Sequence, residues 1–262
     1  MTQMTLMSIF VFLFGAVVGS FLNVCIYRIP RAESIVFPSS HCPECGTKIR
    51  AFDNIPVISY LLLRGTCRAC GSRISWQYPV VEMLSALLTL FLFMKFHLSP
   101  TFFVLFLFCM ALVVITFIDL EHQIIPDSIS LSGIVVGFAS SFFLPWLGWQ
   151  SSLIGIIAGG GSLLLVAYGY QLLTKKEGMG GGDIKLLAMM GAFLGWRSIP
   201  FIIFTSSLFG SVVGLTLMAI RKKDSQLPIP FGPFLAFGAI LFIFYGRQLI
   251  QWYFALGGTV RG

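Results

Sequence analysis

At 262 residues, 57% of them hydrophobic and 10% charged, the chain falls well short of the roughly 25% charge of a soluble domain, and its mean hydropathy of +0.92 excludes a fold solvated on all sides. The formal charge of +7 is spread over loops without a basic run or stripe, which favours positive-inside anchoring and excludes nucleic acid as a partner.

Met4–Ile26 is an uncharged apolar run long enough to span a bilayer with some tilt. No positive charge precedes it and it is too long for a signal-peptide core, so it is read as a retained span. Asn23, a polar group in that apolar helix, is expected to find a core hydrogen bond. Arg28, Pro30 and Arg31 then end the helix at a positive, hence cytoplasmic, surface.

Residues 28–77 form the sole sizeable polar segment. They contain Cys42-Pro43-Glu44-Cys45-Gly46 and Cys67-Arg68-Ala69-Cys70-Gly71. Each pair can wrap a tight knuckle around one edge of a metal, and two knuckles complete a tetrahedral thiolate site. The glycine after each pair eases the turn. Such a close-set four, with two single cysteines elsewhere, is unlike a secreted disulfide framework. Zinc leads, with iron open from the ligands alone. Four sulfur ligands close the site, so its role is structural. The surrounding Lys48, Arg50, Arg64, Arg68 and Arg73 read as a solvated face against anionic lipid.

A second span runs from Tyr78 to His97, with Pro79 and Glu82 placed in its first turn, where the acid compensates the helix dipole. Phe102–Ile118 returns to the cytoplasmic side and delivers Asp119. The loop from Asp119 to Asp127 carries three acids and no lysine or arginine. Asp127, after Pro126, fits an N-cap. Glu121 is expected to help attract a basic segment of a substrate.

Ile129–Leu147 and Ser152–Leu173 make the next pair of spans. Lys175 and Lys176 mark the return, followed by Gly178-Met179-Gly180-Gly181-Gly182-Asp183-Ile184-Lys185. A carboxylate at a membrane edge is costly unless it pairs, meets water or does chemistry, and glycines beside it let an extended peptide approach. The cluster lacks the strand and the Lys-Ser/Thr of a phosphate loop. From Asp183 to Trp196 the apolar run is about half a membrane thick, as suits an element lining a site rather than lipid. Ile199–Ile220 spans again and ends in Arg221-Lys222-Lys223. Pro228-Ile229-Pro230-Phe231-Gly232-Pro233 leads into a last span reaching about Phe254.

The expectation is an all-α integral membrane protein of about eight spans, with a small cytoplasmic four-cysteine module between the first two. Its segments are 1–27 (the first span), 28–77 (the module) and 78–262 (the polytopic part). Thirteen lysines and arginines fall on one side, against Lys95, Arg197, Arg247 and Arg261 on the other, which puts the module, Asp119 and Asp183 together in the cytoplasm. Two carboxylates in a site of restricted water share a proton, the arrangement of an aspartic protease. A proton-coupled transporter or iron-containing redox protein would use the same residues differently.

Gly180-Gly181-Gly182-Asp183 with Lys185 resembles the GxGD motif, extended as GxGDxK, of the bacterial type IV prepilin peptidases. Three further stretches agree in the same order, from Gly19 to about Trp196: Gly19-Ser20-Phe21-Leu22-Asn23 through Pro30, the paired CxxC module, and Asp119 through Ile125-Pro126-Asp127. Gly65, Arg68, Gly71 and Glu82 also match recurrent positions. The resemblance implies that Asp119 and Asp183 are the catalytic aspartates and that Cys42, Cys45, Cys67 and Cys70 bind zinc. It implies substrates too: prepilins or type II secretion pseudopilins, whose short basic leader is cut after a Gly at the cytoplasmic face of the inner membrane. Gly180, Gly181 and Gly182 would then meet the extended substrate. S-adenosylmethionine, as donor for methylation of the new N-terminus, is implied by the resemblance alone.

Overall fold

The computed structural model describes residues 2–175, 180–221 and 230–258. Lys176, Gly178, Met179, Lys222, Lys223, Pro228, Ile229 and Arg261 lie outside them. The long elements are helical: α1 (Thr2–Arg28), α3 (Gln77–Phe96), α4 (Pro100–His122), α5 (Asp127–Ser140), α6 (Trp149–Thr174), α7 (Gly181–Leu194), α8 (Ser198–Arg221) and α9 (Gly232–Gly258), with the one-turn α2 (Ile58–Leu62). Among the described residues, extended pairing is confined to two isolated bridges, His41 with Lys48 and Thr66 with Arg73.

These eight long helices fall on the eight predicted segments. Among the described residues five helices are long and apolar enough to cross a membrane: α1, α3, α4, α6 and α8. At 14 residues, α5 and α7 are about 21 Å long, against a hydrocarbon core of about 30 Å. The length expected beyond α5 is lost because the helix stops at Ser140 rather than Leu147. There the hydroxyls of Ser140 and Ser141 donate back to the carbonyls of Gly137 and Phe138, at 2.8 and 2.6 Å, and Pro145 disfavours helical backbone just ahead of itself.

The chain divides into two compact units, Met1–Ile118 and Asp119–Gly262. In the first, α1 packs chiefly on α3. Gly15 and Gly19 lie against Thr89 and Glu82 so closely that a Cβ on either would collide, the small-residue contact that brings membrane helices together. Asn23 finds its expected partner, donating from Nδ2 to the Tyr78 carbonyl at 3.1 Å. Glu82 is not in the first turn of α3. It is the sixth residue of a helix that starts at Gln77, and its buried Oε2 accepts the Val57 N–H at 2.7 Å. The acid thus ties the module's short helical segment to α3, and it holds the amide of a residue with φ 61°.

In the second unit α7 packs on both α6 and α5. Every residue from Leu186 to Leu194 is buried, so the helix is apolar all round because protein covers it. Along the α6–α7 seam Gly155 and Gly191 face each other, and a Cβ on either would run into the other's backbone carbonyl. Ser152 Oγ donates to the Ala192 carbonyl at 2.7 Å across the same seam. α8 and α9 pack through Phe209 on Phe237, ring centroids 4.9 Å apart, and Phe201 on Phe242 at 5.6 Å.

Candidate active site and metal centre

Asp119 is not in a loop. Leu120, Glu121 and His122 contain nothing that breaks a helix, so α4 runs on to His122 and carries Asp119 in its last turn. The helix closes where Gln123 adopts φ 56° and donates its N–H to the Asp119 carbonyl at 2.9 Å. Pro126 then separates α4 from α5. The Asp119 side chain is buried, and its Oδ2 accepts the Gly232 N–H at 2.9 Å.

Asp183 is the third residue of α7 and half-buried. Its carboxylate and that of Asp119 lie close enough to feel each other's charge. Lys185, two residues on, does not neutralise it. The Lys185 ammonium bonds both carboxylate oxygens of Asp127, at 2.7 and 2.8 Å. This corrects the expected N-cap: α5 is capped at Pro126 without a side-chain bond, and Asp127 instead pins the first turn of α5 to the N-terminal part of α7. Gly182 packs against Ile125, where a Cβ would lie 2.9 Å from its side chain. Gly180 and Gly181 are exposed and face open space. Glu121 sits exposed at the end of α4, its carboxylate 3.8 Å from His122. Sequence reasoning missed Gly232, noting only a Pro-rich loop around it. The available signal was a glycine followed by proline at the start of an apolar helix, an N-terminus able to face an acid.

In the first unit the four cysteines form one cluster, their sulfurs all within 4.8 Å of one another. All six cysteines are free of disulfides. The two knuckles are built alike. Gly46 N–H donates to the Cys42 carbonyl and Gly71 N–H to the Cys67 carbonyl, each at 2.9 Å, and both glycines have positive φ, 69° and 72°, which a side chain would oppose. Tetrahedral zinc with sulfur at about 2.3 Å needs neighbouring sulfurs about 3.8 Å apart, and Cys42 and Cys70 are 3.9 Å apart. The backbone N–H of Cys45, then the Ser72 hydroxyl, hold the Cys42 thiol down to about 6, and Ser72 lowers Cys70 as well. Thiolates are the form a metal takes up. These residues fit a metal ion.

Two details of the module were not foreseen. Arg68 is not a free surface cation: it grips Asp53 through Nε and Nη2 at 2.7–3.1 Å. Arg28, buried at the end of α1, donates to the carbonyls of Ser34 and Pro38 at 2.8 and 2.7 Å, fixing the chain that leads to the first knuckle. An open cleft of about 550 Å³ on the module is lined by Ser39, Ser40, Lys48, Arg50 and Asn54 among others, with no carboxylate. Two cations suit the carboxylate of S-adenosylmethionine but oppose its sulfonium, so the cleft does not fit that donor.

Profiles of two families match the chain: the Bacterial Peptidase A24 N-terminal domain over residues 13–96 and the Type IV leader peptidase family over residues 106–215. The chain is 37% identical over 257 residues to a prepilin leader peptidase/N-methyltransferase of Pseudomonas putida, covering 90% of this chain and 89% of that protein. A protein of the same name from Aeromonas hydrophila is 38% identical over 269 residues, with 93% and 92% covered. One from Pseudomonas aeruginosa is 36% identical, with 94% and 93% covered. No solved structure matches the chain. With relatives this similar along nearly their whole length, and two profiles spanning both units, the chain belongs to the type IV leader peptidase family.

Proposed function

We propose that this protein is a prepilin leader peptidase and N-methyltransferase that uses Asp119 and Asp183 as a membrane aspartyl dyad. Relatives of that name along nearly the whole chain support the activity, and they do not favour a transporter or redox protein. The dyad rests on one observation above the others. Two carboxylates in the same unit, one of them buried, lie within each other's field, and the nearest lysine in sequence is engaged by Asp127.

Hydrolysis follows from two carboxylates sharing a proton. One takes a proton from a water as the water's oxygen adds to the scissile carbonyl carbon, while the other gives its proton to the carbonyl oxygen. The tetrahedral centre then collapses as one of its hydroxyls returns a proton to the second carboxylate, the C–N bond breaks, and the leaving amine departs with the proton held by the first carboxylate. Gly180 and Gly181 suit an approaching extended peptide, because neither positive φ nor neighbouring atoms account for glycine there. Gly182 is accounted for by Ile125, so the substrate edge narrows to the first two. Glu121 remains as the exposed acid for a basic leader. Asp119 and Asp127 are already engaged.

The four-cysteine cluster is a structural zinc site, on the match between its sulfur spacing and a tetrahedral thiolate shell. Residues 28–77 act as a cytoplasmic module, and 78–262 as the polytopic peptidase part. The lysine and arginine count favours an inner-membrane protein with the dyad facing the cytoplasm. S-adenosylmethionine is the methyl donor that family resemblance implies, and no residue is assigned to it. Cleavage of a tagged prepilin by wild type, Asp119→Asn and Asp183→Asn, with the new N-terminus read by mass spectrometry, tests the dyad. Each variant should lose cleavage by more than about a thousandfold while staying folded. Full activity in either removes that aspartate from the mechanism.

A further inference from the structure

The start of α9 meets Asp119 at a single atom. Gly232, the first residue of that helix, is buried and lies 113 positions along the chain from Asp119, yet its N–H reaches Oδ2 at 2.9 Å. The N–H groups of Phe234 and Leu235 turn back to the Phe231 carbonyl at 3.1 and 3.2 Å, and Pro233 has none. Gly232 therefore carries the donor that this helix start directs at the carboxylate. Among the described residues Asp119 Oδ1 has no hydrogen-bond partner.

The absence of a side chain at residue 232 has the same cause. Its φ is not positive, so backbone conformation does not demand glycine. What excludes a larger residue is Asp119: a Cβ would lie 2.6 Å from Oδ2, 3.2 Å from the carboxyl carbon and 3.5 Å from its Cβ. Two independent features of one residue, a donor and an absence, thus converge on the carboxylate of the dyad.

We propose that Gly232 is a positioning residue of the peptidase: its N–H and its missing side chain together hold the Asp119 carboxylate with Oδ2 tied to protein and Oδ1 left for the reacting water. The inference rests on the dyad reading above. Gly232→Ala alters the carboxylate without changing the chemical nature of either aspartate, so it separates placement from identity.

The test is steady-state cleavage of a tagged prepilin by the full-length protein, comparing wild type, Gly232→Ala, Pro233→Ala and Asp119→Asn. Methyl transfer to an already cleaved pilin is followed in the same preparations with added S-adenosylmethionine. Gly232→Ala should lower kcat about a hundredfold, the scale of an ångström's misplacement, with KM within about twofold and methyl transfer unchanged. Pro233→Ala, beside the contact, should cleave like wild type. Wild-type kcat in Gly232→Ala overturns the proposal. So does a parallel loss of methyl transfer, which would make the glycine a requirement of the whole fold, and so does an equal loss of cleavage in Pro233→Ala. If Asp119→Asn still cleaves, the dyad falls and Gly232 falls with it. If Asp119→Asn is dead and Gly232→Ala is unimpaired, the positioning role alone is lost.

Discussion

The three acids between residues 119 and 127 end in three different environments. Asp119 is buried on the α9 amide, Asp127 is consumed by Lys185, and Glu121 faces solvent. An acidic stretch in the sequence is therefore, in the folded chain, one exposed carboxylate that no lysine or arginine engages. Glu121→Gln should raise KM for a basic-leader prepilin by about two- to fivefold at low salt, the range of an exposed charge pair, and leave kcat alone. The effect should vanish at high salt, where screening already removes the attraction. Equal KM in wild type and variant across a salt series would exclude Glu121 from leader binding. The exposed Asp127–Lys185 pair is likewise worth little as energy. Its importance is geometric, because it fixes the turn of α7 that carries Asp183.

At the scale of elements, α7 explains why a segment too short to span can still be apolar throughout. Neighbouring helices rather than lipid surround it, and its closest neighbour is reached without any intervening side chain. Gly191→Val would push two methyl groups into the Gly155 carbonyl, and backbone cannot turn aside as a side chain can. It should cost about 3 kcal/mol, the upper end for overpacking, read as an earlier midpoint when the purified protein is unfolded with SDS. Gly161 on α6 has open space where its Cβ would be, so Gly161→Ala should be neutral or slightly stabilising by helix propensity. Equal midpoints for the two variants would show that the seam is looser than its geometry. The helix ends teach the same lesson about sequence. Met4–Ile26 and Ile199–Ile220 were readable as spans because hydropathy runs continuously through them. The ends of α4 and α5 were not, because they depend on Gln123 taking positive φ and on serines bonding back into their own turn.

For the molecule as a whole, local and non-local features were unequally legible. The cysteine cluster could be read from spacing because each knuckle is a six-residue event, its glycine and carbonyl fixed nearby. Asp119 and Asp183 were legible as a pair through family resemblance and loop charge. Gly232 and the Lys185–Asp127 bond were not, since each depends on segments far apart in sequence meeting in space. The two units suggest separable failures. Cys45→Ser should release about one zinc per chain, measured by elemental analysis, and raise protease sensitivity within residues 28–77. Asp119→Asn should keep its zinc and its methyl transfer to cleaved pilin while losing cleavage. Unchanged zinc in Cys45→Ser would refute the cluster as a metal site. The boundary at Ile118 and Asp119 falls inside the unbroken helix α4, so no linker marks where one coding unit could end and another begin. A fission or fusion event at the boundary itself would cut a hydrogen-bonded helix one residue before the buried acid. On the N-terminal side the next break in regular structure is the short turn between Phe96 and Pro100, and a gene split there would give the second polypeptide all of α4, with its own membrane-crossing helix ahead of Asp119.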